Sequence, residues 1–269
     1  GVDRQIHTGE YLLVPGLSGI GFLERLGRGD VLSYQITLPE GITLQQALQR
    51  LHDDRRLVRE LQDAHDPLLL ELVSPMTSPE GWFLPETYRF VAGDSDYDIL
   101  RRAHHLMQRE LIRVWEARSS DTPLMTPYEA LTLASIVERE TSVAKERATI
   151  AGVFSRRLQA GMRLQTDPTV IYGLGSDFDG NLKRRHLKDA ANPWNTYRIK
   201  GLPPTPIALP GVAALEAAVR PTPGAALYFV ARGDGYHVFS ETIEEHNANV
   251  QRYQLSRKVD YRSTPKGGD

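Results

Sequence analysis

Residues 126–142 read TPYEALTLASIVERETS, and this stretch marks the start and the faces of a central helix. Thr126 suits the N-cap position, and Pro127 suits the first helical position because its missing N–H would have no intrahelical partner there. Glu129 follows Thr126 by three residues, which predicts a capping box. The pattern predicts a helix that begins at Pro127 and ends at Thr141 or Ser142.

A turn of about 100° per residue places one stripe of this helix over small and weakly polar side chains. The stripe consists of Leu131, Ala134, Ser135, Glu138, Thr141 and Ser142. Apolar neighbours raise the pKa of a carboxyl group, so Glu138 could keep its proton and act as a general acid in glycosidic cleavage. Glu140 falls nearly opposite, so the helix offers one candidate acid. Periodicity alone favours a solvated glutamate instead.

A second group of polar residues lies between two further predicted helices. The first of these helices runs from Ala144 to Gln159, and Gly161 is placed to terminate it. Gln165, Thr166 and Asp167 follow, directly before a proline. Thr166 or Asp167 could simply cap the next helix. The same three residues would also present amide, hydroxyl and carboxylate groups that suit the hydroxyl and N-acetyl groups of a sugar.

A third group lies in a loop-rich stretch that runs from residue 181 to 211. Asn195 and Tyr197 combine an amide with an aromatic face, a pairing that is common at carbohydrate sites and more common in packed loops. Segments 227–231 and 236–240 then flank a Gly-containing turn and predict a β-hairpin. A closing helix over residues 243–255 follows.

The first part of the chain contains a weak internal repeat, in which residues 14–26 align with residues 38–51. Each unit predicts a strand, a glycine turn and a capped helix, and Thr43 with Gln46 predicts a capping box. The candidate strands are Tyr11–Val14 and Val31–Leu38. Residues 1–75 are therefore predicted to form a small α+β module. An irregular connection over 78–88 and a long amphipathic helix over 97–118 should follow.

Composition excludes several classes of function. The 269 residues carry a formal net charge of −2, so no overall basic field favours nucleic acid. The chain has no cysteine, which excludes disulfides, thiolate zinc sites and a cysteine nucleophile. His237 and His246 lack metal-ligand spacing, and phosphate-loop, dinucleotide and serine-hydrolase motifs are absent. No run approaches the roughly 18 apolar residues of a membrane span.

Six segments, taken together and in order, resemble the MltG (YceG-like) family of endolytic murein transglycosylases. They are Glu80–Phe83, Ala134–Thr141, Arg163–Gly173, Asn195–Tyr197, Gly201–Pro204 and Tyr228–Asn247. Thr205 departs from the family pattern, which has glycine there. The N-terminal repeat resembles the family's LysM-like subdomain more loosely.

The resemblance implies an α+β fold with a LysM-like module over residues 1–75, a catalytic domain over 76–258 and a polar tail over 259–269. It implies cleavage of the bond between N-acetylmuramic acid and N-acetylglucosamine within glycan strands, which leaves 1,6-anhydro-muramyl ends and terminates or trims nascent strands. Glu138 matches the family's catalytic acid, and no metal or organic cofactor is expected.

The sugar-binding candidates are the polar residues of the three groups described above. They are Ser135, Gln165, Thr166, Asp167, Asn195 and Tyr197. The resemblance implies peptidoglycan glycan strands as substrate and peptidoglycan synthases (penicillin-binding proteins) as candidate partners. It also implies attachment to the inner membrane through an N-terminal helix that this sequence lacks, with the present region facing the periplasm.

Two alternatives stay open. In a hydrolytic muramidase the same glutamate would act as acid, and a second carboxylate such as Asp167 would position water. In a noncatalytic scaffold the LysM-like module would bind glycan without cleaving it.

Overall fold

The structure is a computed structural model that describes residues 9–255. It is an α+β protein, as predicted. Its α-helices are α1 (Gly19–Arg28), α2 (Leu44–Asp53), α3 (Pro67–Leu72), α4 (Asp96–Glu116), α5 (Pro127–Glu140), α6 (Arg147–Gln159), α7 (Asp167–Leu174), α8 (Arg184–Lys188), α9 (Val212–Val219) and α10 (Ile243–Val250). Its strands are β1 (Ser33–Thr37), β2 (Thr87–Val91), β3 (Tyr228–Ala231) and β4 (His237–Ser240).

The strands form two antiparallel pairs. The predicted hairpin is confirmed, with Tyr228 opposite Ser240. The strand predicted over residues 31–38 is confirmed as β1, which pairs with β2. The strand predicted over residues 11–14 is wrong. The structure assigns no strand to this segment, in which the side chains of Leu12, Leu13 and Val14 are exposed. The segment leads into a turn, where the N–H of Leu17 donates to the carbonyl of Val14 at 3.2 Å.

Most predicted helix starts are confirmed by their hydrogen bonds. Thr43 and Gln46 form the complete capping box of α2. At α5 the box is incomplete. The Thr126 side chain accepts from the N–H of Glu129 at 3.2 Å, but the Glu129 carboxylate accepts from the N–H of Met125 instead. The helix predicted from residue 144 begins as a short 3-10 turn and continues as α6 from Arg147.

Two apolar clusters make up the core, and they touch through Trp82 and Leu106. The first surrounds α5, which packs against α6 and α9 and is buried along nearly its whole length. The second joins α2, α4 and β2. Because α5 is held on several sides, the residues at its C-terminal end have a fixed position.

The predicted boundary at residue 75 stays a prediction, and so does the LysM-like character of the first module. Several contacts cross that boundary. β1 pairs with β2, and the Glu80 carboxylate accepts from the N–H of Leu44 at the start of α2, at 3.0 Å. The predicted tail over residues 259–269 lies outside the described residues, as does the predicted end of the catalytic domain.

Among the helices of residues 9–255, none combines the length with the apolar character needed to cross a bilayer.

Phe154→Ala should lower the free energy of unfolding by about 3–5 kcal/mol, because it empties a large site in the first cluster. Phe154 is 1% exposed, and its ring meets that of Phe229 edge-on at 5.7 Å. Thermal unfolding should show a fall in Tm of roughly 6–20 °C. The Tm of Phe154→Leu should fall much less, because leucine fills most of the volume of the phenylalanine side chain. Equal melting temperatures for wild type and Phe154→Ala would show that the site collapses without cost.

Candidate active site

A cleft of about 1120 Å³ lies around the C-terminal end of α5. The five successive residues from Glu138 to Ser142 all line it. The turn at Glu40 and Gly41 forms part of one wall. Leu164, Gln165 and Asp167 with Tyr197 form another, whereas Thr166 is buried and does not line the cleft. Two arginines of α6, the β3–β4 hairpin and α10 also contribute. The cleft therefore gathers residues that are far apart in sequence.

Glu138 occupies a buried position in this cleft, with 9% of its surface exposed. Its Oε2 accepts from the N–H of Gly211 at 2.9 Å, and its Oε1 pairs with Nη2 of Arg147 at 3.1 Å. Burial raises the pKa of Glu138, and the nearby negative charge of Glu40 adds to the rise. The Gly211 N–H and Arg147 oppose it. The group can therefore hold a proton more readily than an exposed glutamate.

Arg147, Glu40 and Gly211 were not among the sequence candidates, although they surround the predicted acid. Arg147 is the first residue of α6, and its Nη2 also reaches Oε2 of Glu40 at 3.3 Å. These residues come from three separate segments, each with ordinary local patterns. Only the packing of α6 and the Glu40 turn against α5 brings them together.

Glu140 shares the cleft with Glu138, and the prediction that it faces away from the site is wrong. The helical angle between the two is large, but both lie in the last turn of α5, and every residue from Glu138 to Ser142 lines the cleft. Oε2 of Glu140 accepts from the Thr166 hydroxyl at 3.1 Å. Burial raises the pKa of Glu140 to about 7; the charge of Asp167 adds to the rise, and the Thr166 bond opposes it.

Residues 165–167 lie beside Glu140 rather than serving only to start α7. The predicted helix start is confirmed, with Thr166 at the N-cap position of α7, although its side chain makes no capping bond. The Asp167 Oδ1 accepts from the Tyr197 hydroxyl at 2.7 Å. Gln165 is exposed in the cleft with φ of 51°, the left-handed region that non-glycine residues seldom adopt. Such strain often accompanies functional positions.

Ser135 and Asn195 are not brought to the cleft. Both are fully buried. The Ser135 hydroxyl donates to the carbonyl of Thr132 at 2.7 Å and accepts from the N–H of Ile207 at 3.0 Å. The Asn195 amide donates to three backbone carbonyls between residues 186 and 189. Both side chains therefore hold loops in place, and Glu138, Gln165, Asp167 and Tyr197 are the sequence candidates that line the cleft.

Two histidines, His237 and His246, also line the cleft. Nδ1 of His237 lies 2.8 Å from Oε2 of Glu146. His246 stacks on Tyr228 with ring centroids 5.2 Å apart, and burial lowers the pKa of His246. Within residues 9–255, no three histidine or acidic side chains are grouped as a metal site requires.

Glu140→Gln should change the pH dependence of stability. A carboxyl whose pKa is raised in the folded state binds more protons there than in the unfolded state, so folding weakens as pH rises from about 4.5 to about 7. Because glutamine does not titrate, the variant should not lose stability in this way. Its free energy of unfolding, measured by thermal or denaturant unfolding, should rise by about 1–3 kcal/mol relative to that of wild type between pH 5 and pH 8.

Glu24→Gln, at an exposed position on α1, is the matched control and should keep the wild-type dependence. A constant difference between Glu140→Gln and wild type across this range would contradict the raised pKa.

Comparison with known proteins gives one consistent result. A model of the YceG-like family matches residues 1–252. A Bacillus subtilis (strain 168) protein named endolytic murein transglycosylase is 30% identical over 268 residues, which cover 93% of this chain and 74% of that protein. A Streptococcus pneumoniae (strain D39) protein of the same name is 28% identical over 288 residues, with 94% and 51% covered.

A solved structure gives the same relationship at the level of the fold. The crystal structure of the yceG-like protein lmo1499 from Listeria monocytogenes superposes with a TM-score of 0.67 at 29% identity. The match covers 88% of this chain and 82% of that one.

Proposed function

Because the chain belongs to the YceG-like family, we propose that it is an endolytic murein transglycosylase with Glu138 as its catalytic acid and base. The observation that carries the proposal is the position of Glu138. It is a buried carboxyl with a raised pKa, and it lies in the wall of a large cleft. Curated relatives of this chain bear the name of that activity.

The proposed reaction needs one carboxyl group at the scissile bond. Protonated Glu138 donates to the glycosidic oxygen as the bond from C1 of N-acetylmuramic acid to that oxygen breaks. The Glu138 carboxylate then takes the proton from the muramyl 6-hydroxyl, whose oxygen attacks C1. A 1,6-anhydro ring forms, the glutamate regains its proton, and no water is consumed. A group that donates and then accepts a proton works best with a pKa near the operating pH.

The surrounding residues are suited to holding sugar units. Gln165, Asp167 and Tyr197 line the cleft with amide, carboxylate and phenol groups. A cleft of about 1120 Å³ is slightly larger than ligand sites usually are, roughly 300–1,000 Å³, which suits a polymeric substrate. We propose these three residues as sugar contacts, with Thr166 acting behind them through Glu140.

Peptidoglycan lies outside the cytoplasmic membrane, so the proposed enzyme acts there. A membrane anchor and an association with peptidoglycan synthases belong to the same proposal, and none of the described helices provides such an anchor.

The proposal can be tested with purified, insoluble peptidoglycan. An endolytic enzyme should release soluble glycan fragments of mixed length early in the digestion, because it cuts within strands. Size separation of the products over time measures this. Products that are short from the first time point would indicate cleavage from strand ends. A folded protein that binds the polymer but releases nothing would instead support the noncatalytic scaffold.

A further inference from the structure

The turn before α2 is attached directly to the site at the end of α5. The N–H of Gly41 donates to the carbonyl of Leu209 at 2.9 Å, and the N–H of Leu209 donates to the carbonyl of Ile42 at 2.8 Å. Nη1 of Arg139 donates to the carbonyl of Gly41 at 2.9 Å. These bonds fix the backbone of the turn against α5 and the loop before α9. Glu40 lies in this turn, so the backbone position from which its side chain extends is fixed.

The Glu40 carboxylate lies over Gly211, the residue whose N–H binds Glu138. A Cβ atom at position 211 would come within 1.8 Å of Oε1 of Glu40, so the carboxylate occupies the space that a side chain would take. Its Oε2 accepts from Nη2 of Arg147 at 3.3 Å. Glu40 therefore contacts both groups that hold Glu138.

Arg147 lies between two carboxylates, at 3.3 Å from Glu40 and 3.1 Å from Glu138. The arginine side chain is 14% exposed, and its buried Nε has no hydrogen-bond partner within the described residues. Within the described residues, Arg147 donates to the carboxylates of Glu40 and Glu138. A guanidinium paired with Glu138 alone would favour the ionised form of that acid. Glu40 supplies the second negative charge, so protonation of Glu138 leaves Arg147 with a counter-ion.

We propose that Glu40 is a positioning residue for the reaction: it holds the Arg147 guanidinium as its ion-pair partner, so that Glu138 can accept and release a proton. The inference rests on the proposed role of Glu138. It also gives the N-terminal part of the chain a contribution to the chemistry, since Glu40 lies within residues 1–75. Arg147 from α6 and Glu40 from the turn are the charged groups that act on Glu138 from neighbouring elements; Arg139 and Glu140 flank it on α5.

The test is the pH dependence of kcat/KM for a defined, soluble glycan substrate. Its alkaline limb reports loss of the Glu138 proton in the free enzyme. Removing a nearby negative charge lowers the pKa of an acid, so Glu40→Gln should move this limb to lower pH by about half a unit to one unit. Arg147→Gln should move it to higher pH. The double variant Glu40→Gln/Arg147→Gln should return it toward the wild-type position.

Two further variants separate charge from shape. Glu40→Asp keeps the charge and should restore part of the wild-type limb. Gly211→Ala adds no charge but displaces the Glu40 carboxylate, so it should shift the limb in the same direction as Glu40→Gln.

Lower rates with an unmoved limb in Glu40→Gln and Arg147→Gln would overturn the inference, because they would show that both residues only support the fold. That failure is distinct from failure of the proposed function. If only the role of Glu40 is wrong, Glu138→Gln is inactive and the alkaline limb of the Glu40 and Arg147 variants stays in place. If the proposed function is wrong, Glu138→Gln keeps its activity.

Discussion

Glu138→Gln should lose turnover by at least about 10²–10⁴, the usual contribution of acid–base assistance. The substitution keeps the size of the side chain and its place on α5 but removes the exchangeable proton. One group serves both proton transfers in the proposed reaction, so no other residue is expected to compensate. The measurement is the rate of anhydro-muropeptide release from purified peptidoglycan, normalised to the amount of folded protein.

The controls must distinguish lost chemistry from lost structure. Glu138 is bound by Gly211 and Arg147, so melting curves of the variant should stay near those of wild type for the rate to be interpreted. Glu24→Gln, an exposed change on α1, should keep full activity. Glu140→Gln should be milder than Glu138→Gln. Near wild-type release by Glu138→Gln, or a loss confined to Glu140→Gln, would mean that the wrong carboxyl has been identified.

A chain that begins at residue 76 should fail to form a stable fold. It would leave β2 without its partner β1 and remove the Leu44 N–H from the Glu80 carboxylate. It would also uncover the second apolar cluster, which loses fully buried leucines from α2 and α3. We expect no cooperative melting transition by circular dichroism and rapid cleavage by protease.

A chain that begins at residue 30 is the matched control. It removes α1, which has no buried residue, and keeps β1 and α2. Its melting temperature should stay close to that of the longer chain. A chain from residue 76 that melts cooperatively would instead favour the predicted division into a module over 1–75 and an independent catalytic domain.

The sequence predicted those elements whose signals are local. Thr43 with Gln46 and Thr126 before Pro127 mark helix starts through hydrogen bonds that span three residues, and the structure contains both. The hairpin of β3 and β4 was predicted from two short runs and a glycine turn. Glu138 was selected through the family resemblance, since periodicity alone favoured a solvated glutamate, and it lines the cleft.

The remaining features depend on contacts between distant segments. A serine hydroxyl such as that of Ser135 can bind a sugar, yet here it accepts a hydrogen bond from the N–H of Ile207, which lies far along the chain. Glu140 was placed away from the site because helical angles do not show that residues on different faces of the last turn of α5 line one cleft. Glu40 and Arg147 carry no local signal, because each becomes important only when the turn before α2 meets the start of α6.

Digestion of purified peptidoglycan in oxygen-18-labelled water, followed by mass spectrometry of the fragments, tests the central claim most directly. Attack by the muramyl 6-hydroxyl should give 1,6-anhydro ends that are lighter than reducing ends by one water and contain no labelled oxygen. Reducing ends that carry the label would contradict the account, because they would show that water attacks C1 and that the enzyme is a hydrolase.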